Sequence, residues 1–384
     1  MRVLIASHSA GLRGGAERCV LELAGALRTD GRVEPTVTVP MRGQLSRALD
    51  DAGVPWRVMR MPTWLVDTSP PWPRDAARGA RRMKRAAVAA RAVPEWVHLL
   101  RELRPDVVMT STTVSPVLAL ASRRARIPHV WWIHEFTTRG LDRRYVLGEP
   151  VSQRLIGRWS RLVAVNSDAV RRHYSPPIDE RKVRVVELGI ESAPVRENCP
   201  STGPLRLLML GRKDAAKGCE DAIRAVADLA GSGDEVTLRM VGPSAPGYAS
   251  TLWYTARDLG VLDRVEFLEY VEDPGEQLAW TNVVLMCTDG EAFGRVTVEA
   301  LKSGRPVVGA RGGATVELLD DGVNGLLYAP ADVGALASAV RACARDRVLV
   351  EQMSKRALAG SAGRFTLQGE LETFVDLFRE ASRT

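Results

Sequence analysis

The sequence predicts an α/β protein with two doubly wound, Rossmann-like domains that face each other across a cleft. The chain has 384 residues, more than one hydrophobic core ordinarily serves, so two domains are expected. Short Val/Leu/Ile runs alternate with longer amphipathic stretches, a pattern typical of parallel α/β structure. The polar stretch "ESAPVRENCPSTGP" separates two cycles of this alternation and indicates a linker.

The first cycle begins with a buried strand and a helix. Residues 2–6, "RVLIA", form the strand, and after a glycine-rich turn "AERCVLELAGALRTD" has apolar residues at helical spacing. Further strands are predicted at "VEPTVTVP", "RPDVVMTS", "PHVWWIHE", "RLVAVNS" and "KVRVVELGI", with a helix at "SPVLALASRRARI". We assign residues 1–195 to this domain.

The second cycle gives a domain over residues 204–365. Its strands are predicted at "LRLLMLG", "EVTLRMVG", "VEFLEYV", "NVVLMCT", "RPVVGAR" and "GLLYA". Residues 366–384 are predicted to form an amphipathic helix that packs back on the first domain. Ligands of such folds bind at the open ends of the parallel sheets, so both sheet edges are candidate sites.

Composition places the chain among soluble globular proteins. It is 45% hydrophobic and 26% charged, has no apolar run near the ~20 residues that span a bilayer, and has too short an apolar N-terminal stretch for a signal peptide. We therefore expect it in the cytoplasm. The five cysteines are scattered without a CxxC pair, which argues against a disulfide framework or a zinc site and favours reduced thiols, mostly in the core.

The net charge of +7 is concentrated in one segment, residues 74–104, which is rich in alanine and predicted to be helical. A basic helix beside the exposed tryptophans expected in "MPTWLVDTSPPWP" fits peripheral binding at the inner membrane surface or to an anionic acceptor; a solvated helix face fits equally well. Nucleic-acid binding is not expected, because the helix lacks interleaved aromatic residues and any recognised module. The basic residues are Arg78, Arg81, Arg82, Lys84, Arg85 and Arg91.

Two loops at the predicted sheet edges have the composition of anion sites. Gly14 and Gly15 precede the first helix, where backbone amides can approach an anion, although a tight connection is the commoner use of such a turn. Arg212 and Lys217 lie in "LGRKDAAKG", where two cations on one loop suit a diphosphate. Taken alone, this loop fits an ordinary surface connection better than a diphosphate site.

The stretch "DGEAFGRVTVEAL" places Glu291 before a Phe-Gly turn and Glu299 on the helix after it. Amides near Gly294 and Arg295 form a positive helix end. A helix advances about 12 Å over eight residues, so the two carboxylates are predicted to reach opposite ends of one extended ligand. Each carboxylate can accept hydrogen bonds from vicinal sugar hydroxyls, whereas a purely structural role would make both ordinary helix acids.

Taken together, these motifs resemble the retaining, nucleotide-sugar-dependent glycosyltransferases of the GT-B fold, the group 1 family, similar to glycosyltransferase family 4. The resemblance covers nearly the whole chain. It is carried by "GGAE" at 14–17, "WWIHE" at 131–135, "GRKDAAKG", the Glu291 to Glu299 pair, "GRPVVGARGG" at 304–313 and "DGVNGLLY" at 321–328.

The resemblance implies roles for matching residues in the second domain. Arg212 and Lys217 would hold the donor diphosphate, Glu291 would contact donor-sugar hydroxyls and be needed for catalysis, and Glu299 would hold the ribose. Backbone amides around Phe293, Gly294 and Arg295 would complete the phosphate site.

The resemblance also implies roles in the first, acceptor-binding domain. The turn at Gly14 and Gly15 would lie close to the donor phosphates and the acceptor. His134 would lie near the reacting sugar, whereas a lone histidine at a strand end is otherwise more often structural. The stretch Glu187–Glu191 departs from the family pattern, and residues 56–96 match nothing in it, so we take that segment as acceptor-specific, for a polyprenyl-linked sugar, a lipid or a small molecule.

The implied reaction transfers a sugar from a UDP- or GDP-linked donor to an acceptor hydroxyl. The sequence has no D-x-D triad, which suits a metal-independent enzyme without a cofactor, with cationic groups stabilising the leaving diphosphate. Retention follows from a covalent intermediate or from front-face attack, of which we favour the second. The alternatives are an epimerase or phosphorylase on the same fold, or a non-catalytic sugar-nucleotide sensor, in which one residue of the charged set would be lost.

Overall fold

The computed structural model describes residues 1–12, 14–67, 75–136, 143–191, 202–271 and 273–383, without the side chains of residues 67 and 75–86. The chain forms two compact units. Unit 1 comprises Met1–Gly189 with Thr366–Thr384, and unit 2 comprises Ile190–Phe365. The boundary predicted between residues 195 and 204 falls mostly outside the described residues.

Unit 1 contains a parallel sheet flanked by helices. Its strands are β1 (Arg2–Ala6), β2 (Glu34–Val39), β3 (Trp56–Val58), β4 (Leu65–Asp67), β5 (Val107–Ser111), β6 (His129–Ile133), β7 (Arg143–Tyr145), β8 (Leu162–Val165) and β9 (Val183–Val185). Its helices are α1 (Gly15–Asp30), α2 (Gln44–Asp51), α3 (Asp75–Leu103), α4 (Val117–Ala125), α5 (Glu149–Trp159), α6 (Asp168–Tyr174) and α14 (Leu367–Ser382).

Unit 2 repeats the doubly wound plan. Its strands are β10 (Leu205–Leu210), β11 (Val236–Val241), β12 (Val265–Leu268), β13 (Val283–Met286), β14 (Val307–Ala310) and β15 (Gly325–Tyr328). Its helices are α7 (Cys219–Gly231), α8 (Tyr248–Asp258), α9 (Gly275–Trp280), α10 (Arg295–Lys302), α11 (Thr315–Leu318), α12 (Val333–Arg345) and α13 (Arg347–Ser361).

The order of the strands gives each sheet a point of reversal. Unit 1 has the parallel order β3-β2-β1-β5-β6-β8-β9, and unit 2 has β12-β11-β10-β13-β14-β15. In unit 1 the strand order reverses between the neighbours β1 and β5, and in unit 2 it reverses between β10 and β13. The chain connections on the two sides of each such pair run in opposite directions. In doubly wound sheets, the loops at the carboxyl ends of such strands are where ligands bind.

The structure confirms the predicted fold class, and it adds short elements that the sequence did not indicate. Strand β3 and the antiparallel partners β4 and β7 have three residues each. Three residues are too few to show the alternation of apolar and polar side chains that marks a strand. The strand predicted over 182–190 ends at Val185. The chain then leaves the sheet, and the Gly189 amide donates to Glu370 Oε2 at 2.8 Å.

The expectation of exposed tryptophans beside the basic helix is wrong for Trp64. Its side chain is 7% exposed and stacks between Trp131 at 6.0 Å and Trp159 at 5.9 Å between ring centroids. The free energy gained by burying so large an aromatic surface favours the core position over an exposed one. Trp72 lies outside the described residues, as do the side chains of the basic residues predicted on α3 other than the exposed Arg91.

The terminal helix α14 belongs to unit 1. Its Phe374 is fully buried and lies edge-on to Trp132 of β6, with 4.8 Å between ring centroids. Cys19, Cys219, Cys287 and Cys343 are buried free thiols, as predicted, whereas Cys199 lies outside the described residues. Among the described helices, none is both long and apolar enough to cross a bilayer.

Candidate active site

The loop after β10 is organised by Asp214. One oxygen, Oδ1, accepts the backbone N–H of Lys217 at 3.1 Å and so caps the single 3-10 turn Ala215–Lys217. The other, Oδ2, accepts Arg212 Nε at 2.5 Å. The Asp214 carboxylate thus bonds the side chain of Arg212 and the backbone of Lys217, the two residues predicted to bind the diphosphate. The roles implied by the family resemblance include none for Asp214, although an aspartate just before a short turn is the typical N-cap signal.

The two lysines of this loop have different environments. Lys213 is buried, and its Nζ donates to the carbonyl oxygen of Leu268 at 2.5 Å. Burial lowers the pKa of Lys213, against the attraction of Glu269. Lys213 therefore links its loop to the end of β12. Of the two lysines, only Lys217 contacts a carboxylate of the candidate site.

Lys217 forms an ion pair with Glu291. Its Nζ lies 2.8 Å from Glu291 Oε2, and the side chains are 39% and 17% exposed. Burial works to lower the pKa of Lys217, but the charge and hydrogen bond of Glu291 outweigh it, so the net shift is upward. The ammonium group has three N–H donors, and with one given to Glu291 it can still donate to a bound anion.

The loop after β13 ends in a glycine with a left-handed backbone. Gly294 has φ 95° and caps α10, whose first residue is Arg295. The helix therefore begins four residues after Glu291, and only the part of this stretch from Arg295 to Glu299 rises along it, by about 6 Å. Glu299 Oε1 lies 4.0 Å from Arg295 Nε, and both side chains are largely buried.

Phe293 contributes to the core of unit 2. Its side chain is 4% exposed, and its ring lies edge-on to Phe365 at 5.9 Å. The prediction for phosphate binding concerned the backbone amide of Phe293, not its side chain. The buried ring anchors this part of the loop to the core. In general, the backbone amides in the first turn of a helix are not used by the helix's own hydrogen bonds, and this property of helix N-termini favours anions.

The Glu291 loop is supported from the next loop along the sheet. The amide of Ala314 donates to the Glu291 carbonyl oxygen at 2.8 Å. A Cβ on Gly313 would lie 2.2 Å from that oxygen, and one on Gly312 would lie 2.2 Å from the Asp289 carbonyl oxygen. These glycines of the "ARGG" motif thus allow two loops to touch along their backbones.

Lys217, Arg212 and Glu291 therefore meet at the strand-order reversal of unit 2. Lys217 and Arg212 follow β10, Glu291 follows β13, and these strands are neighbours. Glu299 and the first turn of α10 continue the same loop. Two cations, a helix N-terminus and carboxylates in this position are chemically suited to an anionic ligand that carries hydroxyl groups.

The predicted site residues of unit 1 lie at the carboxyl ends of its strands. His134 follows β6, with Nε2 3.1 Å from Ser111 Oγ and its ring 4.2 Å from that of Trp132. Gly14 caps α1, and Gly14 and Gly15 are exposed. A carboxylate, that of Glu17, lies directly over Gly14, since a Cβ there would be 2.2 Å from Glu17 Oε2.

No group of three or more His, Cys, Asp or Glu side chains in the described part of the chain is arranged to hold a metal ion. The expectation that activity needs no metal or cofactor stays a prediction.

These features define a doubly wound α/β protein with its candidate ligand groups at the switch points of the sheets. Two family models identify it further. "Glycosyltransferase Family 4" matches residues 13–193, and "Glycosyl transferases group 1" matches residues 204–346. The chain belongs to the group 1, family 4-type glycosyltransferases, and its fold is GT-B, as the resemblance implied.

Individual relatives agree with this assignment. The chain is 29% identical to a phosphatidyl-myo-inositol mannosyltransferase of Mycobacterium leprae, covering 92% of this chain and 90% of that protein. It is 32% identical to a D-inositol 3-phosphate glycosyltransferase of Corynebacterium kroppenstedtii, over 46% of this chain and 41% of that one. The crystal structure of Anabaena HepE with UDP-glucose superposes with a TM-score of 0.79 at 23% identity, covering 99% of each chain.

Proposed function

We propose that this glycosyltransferase is a retaining enzyme that moves a sugar from a UDP- or GDP-linked donor to an acceptor hydroxyl without a metal ion. The observation that carries the proposal is the 2.8 Å Lys217–Glu291 pair at the junction of β10 and β13. In this proposal the cation of the pair binds the diphosphate, and the carboxylate beside it binds the sugar. The UDP and UDP-glucose bound to Anabaena HepE support the donor class.

Each residue of the site has a role in this reaction. Lys217 and Arg212 bind the diphosphate, and their positive charge stabilises the charge that develops on it as the glycosidic bond breaks. The first turn of α10 donates backbone N–H groups to the same phosphates. Glu291 accepts hydrogen bonds from hydroxyls of the transferred sugar, and Glu299 accepts those of the ribose.

Retention is proposed to arise by front-face attack. The acceptor oxygen forms its bond to the anomeric carbon on the side from which the diphosphate leaves, and the acceptor proton passes to the departing phosphate oxygen. This step needs no protein nucleophile. His134, at the carboxyl end of β6, is proposed to contact the reacting sugar from unit 1.

The acceptor is proposed to be a polyol, free or lipid-linked. Inositol-containing acceptors appear in the names of relatives from Mycobacterium leprae and Corynebacterium kroppenstedtii. The basic segment 74–104 is proposed to hold the enzyme at an anionic inner membrane surface when the acceptor is a lipid. The first acceptors to test are therefore D-inositol 3-phosphate and phosphatidyl-myo-inositol in mixed micelles.

Calorimetric titration of UDP, GDP, UDP-glucose and GDP-mannose tests donor binding, with Mg²⁺ or with EDTA. We expect one nucleotide series to bind equally in both buffers. Lys217→Ala should weaken that binding by about 10- to 100-fold, the effect of one charge-assisted phosphate contact. Lys355→Ala is the control, because Lys355 forms a 2.6 Å ion pair with Glu351 on the surface of α13.

Turnover with the donor that binds tests the role of Glu291. Glu291→Gln should lower kcat/KM by about 100-fold or more while the Kd of the nucleoside diphosphate changes only a few-fold. Glu351→Gln is the matched control and should leave both unchanged. Failure of every nucleotide to bind, or binding only with Mg²⁺, would contradict the proposal, as would product of inverted anomeric configuration by NMR.

A further inference from the structure

Helix α5 of unit 1 exposes one face to solvent. Val151, Arg154 and Arg158 are exposed, and their spacing of three and four residues places them on the same side of the helix. Ile156, on the other side, is fully buried. Leu147, just before the helix begins, is exposed as well. The exposed side of this helix is therefore apolar at its start and basic towards its end.

Arginines of two neighbouring elements flank this face, because α5 packs against α4 and against β7. Arg123, in the last turn of α4, donates from Nη1 to the carbonyl oxygen of Arg158 at 3.4 Å and so links the ends of the two helices. Arg124 of α4 and Arg144 of β7 are also exposed. Together these exposed residues form the α5 surface, which comprises Leu147, Val151, Arg154, Arg158, Arg123, Arg124 and Arg144.

The positive charge of the α5 surface is not balanced by neighbouring carboxylates. Residues 117–165 contain nine arginines and three acidic residues. Of these acids, Glu149 pairs with His173 at 2.8 Å, Glu135 accepts hydrogen bonds from the loop after β5, and Asp142 lies outside the described residues. Within the described part of the chain, no carboxylate pairs with the arginines of this surface.

Helix dipoles explain only part of this arrangement. Cations are favoured in the last turn of a helix, and the arginines at the ends of α4 and α5 occupy such positions. Arg154 lies in the middle of α5 and Arg144 lies on a strand, so the dipole accounts for neither. It also does not account for the apolar residues Leu147 and Val151, which are 53% and 44% exposed. Unpaired arginines beside exposed apolar side chains indicate a surface that binds a partner.

The composition of the α5 surface favours an anionic lipid bilayer over a nucleic acid. Basic residues are attracted to anionic headgroups, and apolar side chains beside them can enter the headgroup region. Single-stranded nucleic acids bind instead through exposed aromatic rings on which bases stack. Trp159, the aromatic residue of α5, stacks on Trp64 at 5.9 Å, and Tyr145 of β7 is buried. The described part of this surface therefore offers no ring for a base.

We propose that the α5 surface binds an anionic phospholipid bilayer, with its arginines on the headgroup phosphates and with Leu147 and Val151 between the headgroups. Helix α5 connects the parallel strands β6 and β8, so it begins at the carboxyl end of β6, where His134 lies. The apolar end of the surface is thus the end nearer to the proposed acceptor region. The α5 surface shares no residue with segment 74–104, and this inference does not depend on the donor chemistry.

Co-sedimentation of the full-length protein with large unilamellar vesicles tests this inference. We expect binding to phosphatidylcholine vesicles that contain about 30% phosphatidylglycerol, no binding to phosphatidylcholine alone, and weaker binding in about 0.5 M than in about 0.1 M salt. The double variant Arg154→Gln/Arg158→Gln should lower the partition coefficient by about 30-fold, because two basic contacts are lost. Leu147→Ser/Val151→Ser should lower it by about 5-fold through the loss of apolar burial.

The matched control is Lys355→Gln/Arg356→Gln, which removes the same charge from the exposed side of α13 in unit 2 and should bind vesicles within about 2-fold of the wild type. An equal loss of binding in this control would overturn the inference, as would displacement by soluble glycerol phosphate at matched ionic strength. Binding of duplex DNA but not of vesicles through Arg154 and Arg158 would also overturn it.

A further variant separates this inference from the proposed function. Arg81→Gln/Arg82→Gln removes two charges from segment 74–104. If vesicle binding falls in this variant and is unchanged in Arg154→Gln/Arg158→Gln, the α5 surface is not the docking site, and the proposed function is unaffected. If the wild type binds vesicles but no nucleotide in calorimetry, the proposed donor site fails and this inference stands.

Discussion

Single residues of the same type have different roles in this protein, and their neighbours decide which. Lys213 and Lys217 lie in one loop, yet Lys213 is buried against a backbone carbonyl and Lys217 faces a carboxylate. The motif identified Lys217 from the sequence. It did not identify Asp214, which orients the loop, because its partners come together only when the turn forms.

A buried histidine in unit 1 makes stability depend on pH. His129 is 2% exposed, and its ring nitrogens bond Thr110 Oγ1 at 2.8 Å and Ser160 Oγ at 3.0 Å. Burial lowers the pKa of His129 to about 3 from the usual 6.5. Below pH 6.5 the unfolded chain therefore binds a proton that the native state excludes, so this contribution to stability is complete above pH 6.5 and is lost as the pH falls towards 3.

We expect the free energy of unfolding of the wild-type protein to fall with acid by up to about 1.4 kcal/mol per pH unit from this residue alone. In His129→Gln this part of the slope should disappear between pH 6 and 4. Urea titrations across that range measure it, and His98→Gln, at an exposed position, is the control. An unchanged slope in His129→Gln would show that the histidine is protonated in the native state.

Among the elements, the loops after β13 and β14 act as a pair. Their contact depends on backbones that meet at Gly312 and Gly313, and it holds Glu291 by its own carbonyl oxygen. The sequence marked these glycines as part of a family motif. Their role, to let the backbones of the two loops touch, depends on the pairing of strands β13 and β14 in the folded sheet.

A matched pair of glycine substitutions tests this arrangement. Gly313→Ala places a Cβ 2.2 Å from the Glu291 carbonyl oxygen at φ 53°, whereas Gly322→Ala has φ 73° with nothing within 4 Å. We expect Gly322→Ala to cost about 1 kcal/mol, for backbone strain alone. Gly313→Ala should cost more, about 2–4 kcal/mol, and should also weaken nucleotide binding, because the Glu291 loop must move.

Urea unfolding and calorimetric titration of both variants give the two quantities. Equal losses of stability in the two variants, with unchanged nucleotide affinity in Gly313→Ala, would show that the loops adapt to each other without this contact.

For the molecule as a whole, the chain crosses from unit 1 to unit 2 and returns to complete unit 1. The return depends on α14, whose Glu370 carboxylate accepts the Gly189 amide and whose Phe374 fills the core beside Trp132. The backbones of Gly189 and Leu367 approach so closely that a Cβ on Gly189 would lie 2.5 Å from Leu367 Cα. Unit 1 is therefore assembled from residues at both ends of the chain.

Phe374→Ala should destabilise unit 1 by about 3–5 kcal/mol, the usual cost of removing a fully buried phenylalanine. Hydrogen exchange followed by mass spectrometry should show faster exchange in β1, β5 and β6, while β10 and β13 keep their protection. Asp376→Ala is the control on the same helix, because the Asp376 side chain is 76% exposed. Equal loss of protection in both units would contradict the assignment of α14 to the core of unit 1.

The sequence by itself determined the fold class, the order of most strands and helices, and the family, because buried parallel strands and glycine-rich loops leave periodic and local signals in the chain. It also pointed to Lys217 and Glu291. Only the tertiary structure decided that these two residues form an ion pair, that Asp214 orients the loop, and that the Glu17 carboxylate lies over Gly14. The ion pair joins side chains from two different loops, and such a contact depends on strand order and packing, which no local pattern encodes. Asp214 and Glu17 make their contacts within their own loops, and those contacts depend on the conformation that each turn adopts in the folded protein.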